Sequence, residues 1–185
     1  FLKLFPSIAV ITNIDREHLE NYGGFDDLQQ AFVDFANKVP FYGAAVLCLD
    51  HPTVQGMLPR VEKRVITYGL SPQADYVAEE IEQLEGAMAF TLKVRGAVRG
   101  KVKISMIGRH NVLNALAACA VGWQLGVEPE AMQRALENFQ GVGRRFQIRG
   151  EIALDEGSAM LVDDYGHHPR ELAAVFAAAR NGWPH

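Results

Sequence analysis

Leu161-Val162-Asp163-Asp164-Tyr165-Gly166-His167-His168-Pro169-Arg170-Glu171 runs an apolar segment straight into a dense polar cluster. The apolar run at 160–162 reads as a buried strand. Pro169 suits the first turn of a helix that Leu172, Val175, Phe176 and Ala179 continue at helical spacing. Two carboxylates, a tyrosine and two imidazoles therefore fall between a strand end and a helix start, where open α/β sheets bind ligands. A capped helix start with solvated histidines is the plainer reading of any one Asp-Asp or His-His pair. The full string reads as a ligand site.

Outward from this stretch, strand-like and helix-like segments alternate. Residues 8–12 form a β-branched run suited to a central parallel strand. Phe25, Leu28, Phe32 and Phe35 follow at helical spacing, with Asp26 and Asp27 near the start, Lys38 near the end and Pro40 as a stop. Residues 44–49 and 64–68 supply two further strands around a short helix near 54–58. The period then changes: Met88, Phe90, Leu92 and Val94 alternate with polar or small neighbours, and after a loop at 96–100 Val102, Ile104 and Met106 alternate again, which predicts an antiparallel hairpin. Residues 111–125 are apolar almost all round, as in a helix buried on several sides. Gly126 ends it, and Pro129 opens another helix that Gly141 stops.

The expected fold class is α/β: a mostly parallel sheet with flanking helices plus an antiparallel hairpin, covering residues 1–146. Residues 147–185 read as a second unit in which strands at 148–154 and 159–162 pair around a turn and one helix follows, the opening β-β-α of a Rossmann-like domain. Two strands and a helix are too little for an independent core. Both termini read as cut, one just before a strand and the other where a parallel sheet calls for its next strand.

Composition bounds the function. The chain has 185 residues, 49% hydrophobic and 22% charged, enough for one good core or for a domain and part of another. A net charge of -4 gives no electrostatic reason to bind nucleic acid or an anionic membrane. No apolar run approaches the roughly 20 residues of a membrane span. Cys48 and Cys119 both lie in apolar runs, so buried free thiols in a reducing, cytoplasmic setting are expected rather than a disulfide.

Further residues carry chemistry. Asn111 and Asn114 are three apart, about 60° around a helix. Their carboxamides can face one ligand edge, and a donor beside an acceptor matches N6 and N7 of adenine. Helix capping by Asn111 is the plainer reading and coexists with it. Arg144 and Arg145 follow a Gly-x-Gly hinge, and a guanidinium can clamp phosphate oxygens at two points. A solvated turn is the alternative, and nothing physical chooses between the two arginines.

The DDYGHHP string, the segment Thr12-Asn13-Ile14-Asp15-Arg16-Glu17-His18, the segment Gly108-Arg109-His110-Asn111-Val112-Leu113-Asn114 and the segment Gly141-Val142-Gly143-Arg144-Arg145-Phe146 together resemble the Mur ligase family, in the family's order and across almost the whole chain. The resemblance implies ATP-dependent amide formation in peptidoglycan synthesis, and within the family the branch that joins L-alanine to UDP-N-acetylmuramate through an acyl phosphate. It implies that His18 helps hold a magnesium ion, that His110, Asn111 and Asn114 line an adenine pocket, and that Arg145, with Arg144 its neighbour, meets phosphate. It also implies that Tyr165 and His167 flank the base, and that Asp163 or Asp164 serves the incoming amine or a supporting network, while His168 caps the following helix. Glu17 and Glu20 stand where aspartate is usual in the family, which leaves a direct metal role for either open.

No G-x-x-x-x-G-K-[ST] string occurs in the chain, although the family's phosphate binding depends on that loop. The loop is expected upstream of Phe1, together with the domain that holds the uridine diphosphate, and the rest of the third domain beyond His185. The chain by itself is therefore expected to be inactive. Competing readings are a related ligase that recycles a tripeptide onto UDP-N-acetylmuramate, a metal-dependent phosphohydrolase built on Asp163, Asp164, His167, His168 and His18, and a non-catalytic nucleotide-binding module. The hydrolase reading is weakened by the lack of tight ligand spacing such as H-x-x-x-H.

Overall fold

The computed structural model describes residues 1–16 and 19–183, the side chain of Arg170 excepted. Three parallel strands come first: β1 (Ile8–Ile11), β2 (Ala44–Cys48) and β3 (Val65–Gly69). Helix α1 (Phe25–Asn37) carries the chain from β1 to β2, and the short α2 (Pro52–Met57) lies between β2 and β3. Asp26 and Asp27 sit in the first turn of α1, where carboxylates oppose the helix dipole favourably. Its buried stripe includes Leu28, Ala31 and Ala36.

Strand β2 is buried along its whole length because both faces of the sheet are covered. Ala44, Val46 and Cys48 join one core with Ile66, Tyr68 and the helix α3 (Arg109–Gln124). Ala45 and Leu47 join the other with Ile11, Leu28, Val54 and Met57. A continuous apolar strand without alternation is what a two-sided burial requires, and each fully buried leucine such as Leu47 or Leu116 contributes about 1.5–3 kcal/mol. Cys48 and Cys119 are free and buried, and burial pushes the Cys119 thiol up to about 11.

The antiparallel addition is larger than the expected hairpin. A further strand, β4 (Tyr76–Leu84), pairs parallel with β3 at Tyr68↔Tyr76 and Gly69↔Val77 and then antiparallel with β5 (Ala87–Val94), which in turn pairs with β6 (Ala97–Ile104). Residues 96–100 are thus not a loop. Arg95 (φ 49°) and Gly96 (φ 79°) both adopt left-handed backbone, which makes a tight two-residue turn, and the sheet resumes at Ala97 with an irregularity between Leu92 and Lys93. Strand β6 is an edge, and Arg99, Lys101 and Lys103 on it are exposed, a charge pattern that discourages edge-to-edge association.

After α4 (Pro129–Asn138), a separate two-stranded sheet begins at Gln147: β7 (Gln147–Ala153) and β8 (Ser158–Asp163), antiparallel, followed by α5 (Pro169–Gly182). The run at 160–162 is a strand but not a buried one, since Leu161 is 48% exposed and Ile148 and Ile152 opposite are 49% exposed. The reason lies in α5. Its buried residue, Ala178, packs where the Cβ of a substituted Gly108 would fall, and Gly182 lies beside Gln83 of β4. The helix therefore docks on the six-stranded unit, and no layer covers the hairpin among the described residues. No helix among them is long and apolar enough to cross a membrane.

Candidate functional site

A groove of about 630 Å³ runs between the start of α3 and the segments that flank β8. It is lined by His110, Asn111 and Asn114 from one side and by Arg145, Asp164 and Glu171 from the other, and Asn13 and Asp15 close it just past the end of β1. Both the parallel sheet and the second unit thus present the ends of their strands to one space.

The start of α3 is shaped by Gly108, whose φ is 95° and whose missing side chain leaves room for the His110 ring. Asn111 ties the helix start, its Nδ2 donating to the Ile107 carbonyl at 2.8 Å. Asn114 donates through Nδ2 to Asn111 Oδ1 at 3.3 Å, so the two carboxamides lie side by side on one helix face. Asn111 does not cap the helix, whose cap position is Gly108 with no side-chain bond; instead it ties the first turn back to Ile107 while it lines the groove.

The hinge segment that joins α4 to β7 is pinned by Asp164. Its Oδ2 accepts from the Phe146 N–H at 2.7 Å and its Oδ1 from the Gly166 N–H at 2.6 Å. The Tyr165 N–H donates to the Arg144 carbonyl at 2.7 Å. These bonds hold a hinge in which Arg144 and Phe146 both have positive φ, 61° and 46°. Both arginines lie by the Tyr165 ring, Arg145 at 6.0 Å, but they take different carboxylate partners. Arg144 turns to Asp163 (Nε–Oδ1 3.7 Å) and lies over the Tyr165 ring at 4.9 Å. Arg145 lines the groove, with Nη1 3.5 Å from Glu171 Oε1.

Asp163 sits outside the groove lining. Arg149 donates to its Oδ2 at 2.9 Å, and that bond, with Arg144 beside it, holds the carboxyl below the usual carboxylate range. Tyr165 and His167 meet edge to face at 5.3 Å, both exposed and neither on the groove wall. The structure thus brings together His110, Asn111, Asn114, Arg145 and Asp164, and leaves Arg144, Asp163, Tyr165 and His167 beside that group. His168 lines the groove, and its carbonyl accepts the first helical bond of α5, from Leu172 at 3.0 Å. His18 lies outside the described residues.

Glu171, Asn13 and Asp15 are groove residues that sequence reasoning did not single out. The usable signal for Glu171 was its place three residues after the helix cap, where a glutamate reaches back to the helix start.

The His110 imidazole keeps an exposed outer edge, but its ring is tucked against Gly108 and the groove. Desolvation there holds its pKa below the ordinary 6.5; Asp164 opposes the shift and Arg145 adds to it. A histidine lowered in the folded state leaves the unfolded chain binding more protons. Its contribution to stability is thus full above about pH 6.5 and is lost as pH falls below that toward the lower folded value. An NMR titration is expected to give a midpoint below 6.5, to move up in Arg145→Ala and further down in Asp164→Asn; a midpoint at or above 6.5 in the parent would refute the desolvation.

Among the described residues no three His, Cys, Asp or Glu side chains converge as a metal cage. Magnesium does not need one: a carboxylate or two suffices where water and phosphate oxygens complete the octahedron. Asn13 and Asp15 on the groove fit that modest demand.

The model of the Mur ligase middle domain matches residues 2–122. The UDP-N-acetylmuramate--L-alanine ligase of Stenotrophomonas maltophilia (strain K279a) is 55% identical over 185 residues, 99% of this chain and 39% of its own length. The solved structure of the UDP-N-acetylmuramate-alanine ligase from Thermotoga maritima superposes with a TM-score of 0.82 at 26% identity, covering 100% of this chain and 40% of that one. The UDP-N-acetylmuramate:L-alanyl-gamma-D-glutamyl-meso-diaminopimelate ligase from Neisseria meningitides gives 0.67 at 26% identity over 77% of this chain and 43% of that one. The chain spans about two fifths of the length of the curated relatives it matches.

Proposed function

Because the chain belongs to the Mur ligase family, we propose that it is the nucleotide-facing part of an ATP-dependent carboxylate–amine ligase of the cytoplasm that joins L-alanine to UDP-N-acetylmuramate. Residues 1–146 are the later part of its central domain and residues 147–185 the opening of its third. The observation that carries the reading is the groove, in which two carboxamides on α3 face a hinge arginine across a space bounded by strand ends. The tripeptide-recycling ligase is the nearest alternative; superposition over the whole chain with the higher TM-score favours the L-alanine enzyme.

In this reading the lactyl carboxylate of the sugar attacks the γ-phosphate of ATP, ADP departs, and the amine of L-alanine displaces phosphate to form the amide. Charge crowding dominates the barrier, so cationic groups carry the catalysis. Asn13, Asp15 and His18 would hold magnesium, which would supply positive charge to offset that crowding. Arg145 binds phosphate oxygens through its planar fork. Asn111 and Asn114 read the adenine edge, and His110 closes the pocket as a neutral ring. Asp164 keeps the hinge in the geometry that aims Arg145, and Asp163 with Arg144 and Arg149 supports the neighbouring loop.

The test is nucleotide choice. Adenine offers an N6 donor beside the N7 acceptor, whereas the O6 of guanine is an acceptor and leaves a groove donor or acceptor unpaired at roughly 1–3 kcal/mol. The complete ligase is expected to prefer ATP to GTP by about tenfold or more. Asn114→Leu should raise the KM for ATP and narrow that preference, with affinity for the UDP-sugar unchanged. Full discrimination in the variant would remove Asn114 from the base pocket.

A further inference from the structure

We infer that Glu171 is a positioning residue that fixes the Arg145 guanidinium for phosphate contact. The inference rests on the reading of Arg145 given above. Glu171 follows Pro169 by two residues in the first turn of α5, and its two carboxylate oxygens face different parts of the site. Oε2 accepts from the His167 N–H at 3.2 Å and lies 3.8 Å from Nδ1 of that residue's ring. Oε1 lies 3.5 Å from Arg145 Nη1.

Reaching back to the helix start is ordinary capping and occupies one oxygen. The second oxygen is what the cap does not explain. It contacts the groove-lining arginine across 26 residues of chain and joins the hinge to the DDYGHHP loop. Arg145 is itself exposed, on a turn with positive φ at both neighbouring residues, and a free arginine there has rotamer freedom to lose on binding. One contact to Glu171 removes part of that freedom in advance and leaves most of the five-donor fork for ligand oxygens. The hydrogen bond from the His167 backbone, then that from His168 and the charge of Arg145, hold the Glu171 carboxyl below the usual range, so it is anionic at neutral pH.

The alternative geometry-based role is competition, in which Glu171 occupies Arg145 until phosphate displaces it. The two roles differ in sign: loss of a competitor tightens ATP binding, whereas loss of a positioning group lowers turnover.

The experiment places Glu171→Gln and Glu171→Ala in the complete ligase, alone and with Arg145→Ala, and reads L-alanine-dependent ADP formation and Tm. Both single variants are expected to lower kcat about tenfold with the ATP KM within about twofold. Glutamine keeps an oxygen for the His167 N–H, so Glu171→Gln should hold the parent Tm while Glu171→Ala lowers it. In the Arg145→Ala background Glu171→Gln should cost nothing further. Parent-like kcat in Glu171→Gln, a lower ATP KM, or a full additional loss on top of Arg145→Ala overturns the inference while the ligase reading stands. A parent enzyme with no L-alanine-dependent ADP formation overturns both.

Discussion

Arg145→Ala in the complete ligase should lower kcat by about a hundredfold with less than about a threefold change in the ATP KM, the signature of a donor used mainly as charge develops. The basis is local geometry. The two hinge arginines are adjacent in sequence and both lie by the Tyr165 ring, at 4.9 and 6.0 Å, yet they take different carboxylate partners. Arg144 ends against Asp163 and the Tyr165 ring, and only Arg145 reaches the groove wall. Arg144→Ala should therefore cost less than about fivefold, in line with an exposed ion pair and a cation–π contact. Arg145→Lys should stay near the alanine variant, because an ammonium cannot reproduce a two-point contact with phosphate. A dead Arg144→Ala beside a parent-like Arg145→Ala would move the phosphate role one residue back.

That separation was out of reach of the sequence, and the reason generalises over this molecule. Periodicity identified β1, β2, β3, β5, α1, α3, α4 and α5, since each has an apolar pattern set by its own neighbours. It missed β4. Glu79, Glu80, Glu82 and Gln83 make that strand look like a solvated segment, and its place in the sheet comes from pairing with β3 and β5 rather than from local preference. The loop expected at 96–100 failed for a related reason: glycines read as loop punctuation, whereas Arg95 with Gly96 already closes the turn and Gly100 sits within the resumed strand. In β8 the apolar run was real, but burial belongs to whatever covers a strand, and α5 packs elsewhere.

At the site, short-range facts were legible and long-range partners were not. The spacing of Asn111 and Asn114 placed both on one helix face, and the structure has them in hydrogen-bond contact. Asp163 and Asp164 looked equivalent. They differ because alternate residues around the end of a strand point to opposite sides: Asp163 turns toward Arg149 on β7, while Asp164 turns to the backbone of the hinge 18 residues earlier. Glu171 carried a capping signature, and its contact with Arg145 needed the fold to bring the hinge beside α5.

Gly108→Ala should destabilise the chain by about 1–3 kcal/mol, the cost of forcing a side chain into backbone that glycine alone adopts easily. At φ 95° and ψ 142° the residue lies in a region that L side chains avoid. A Cβ there would also come within 2.7 Å of His110 Cε1, 2.9 Å of His110 Nδ1 and 3.2 Å of the Ala178 Cβ. The imidazole can rotate away; Ala178 is on the packed face of α5 and cannot do so without loosening that helix from the six-stranded unit. For a chain of this length the loss corresponds to a fall in Tm of roughly 2–4 °C per kcal/mol, readable by thermal unfolding of the 185-residue chain. The same substitution pushes the His110 ring out of the groove wall, so in the complete ligase the KM for ATP should rise while affinity for the UDP-sugar holds. Gly108→Ala with parent stability would mean that α5 is free to shift, and the docking of α5 on the start of α3 would then be too loose to define one wall of the nucleotide groove.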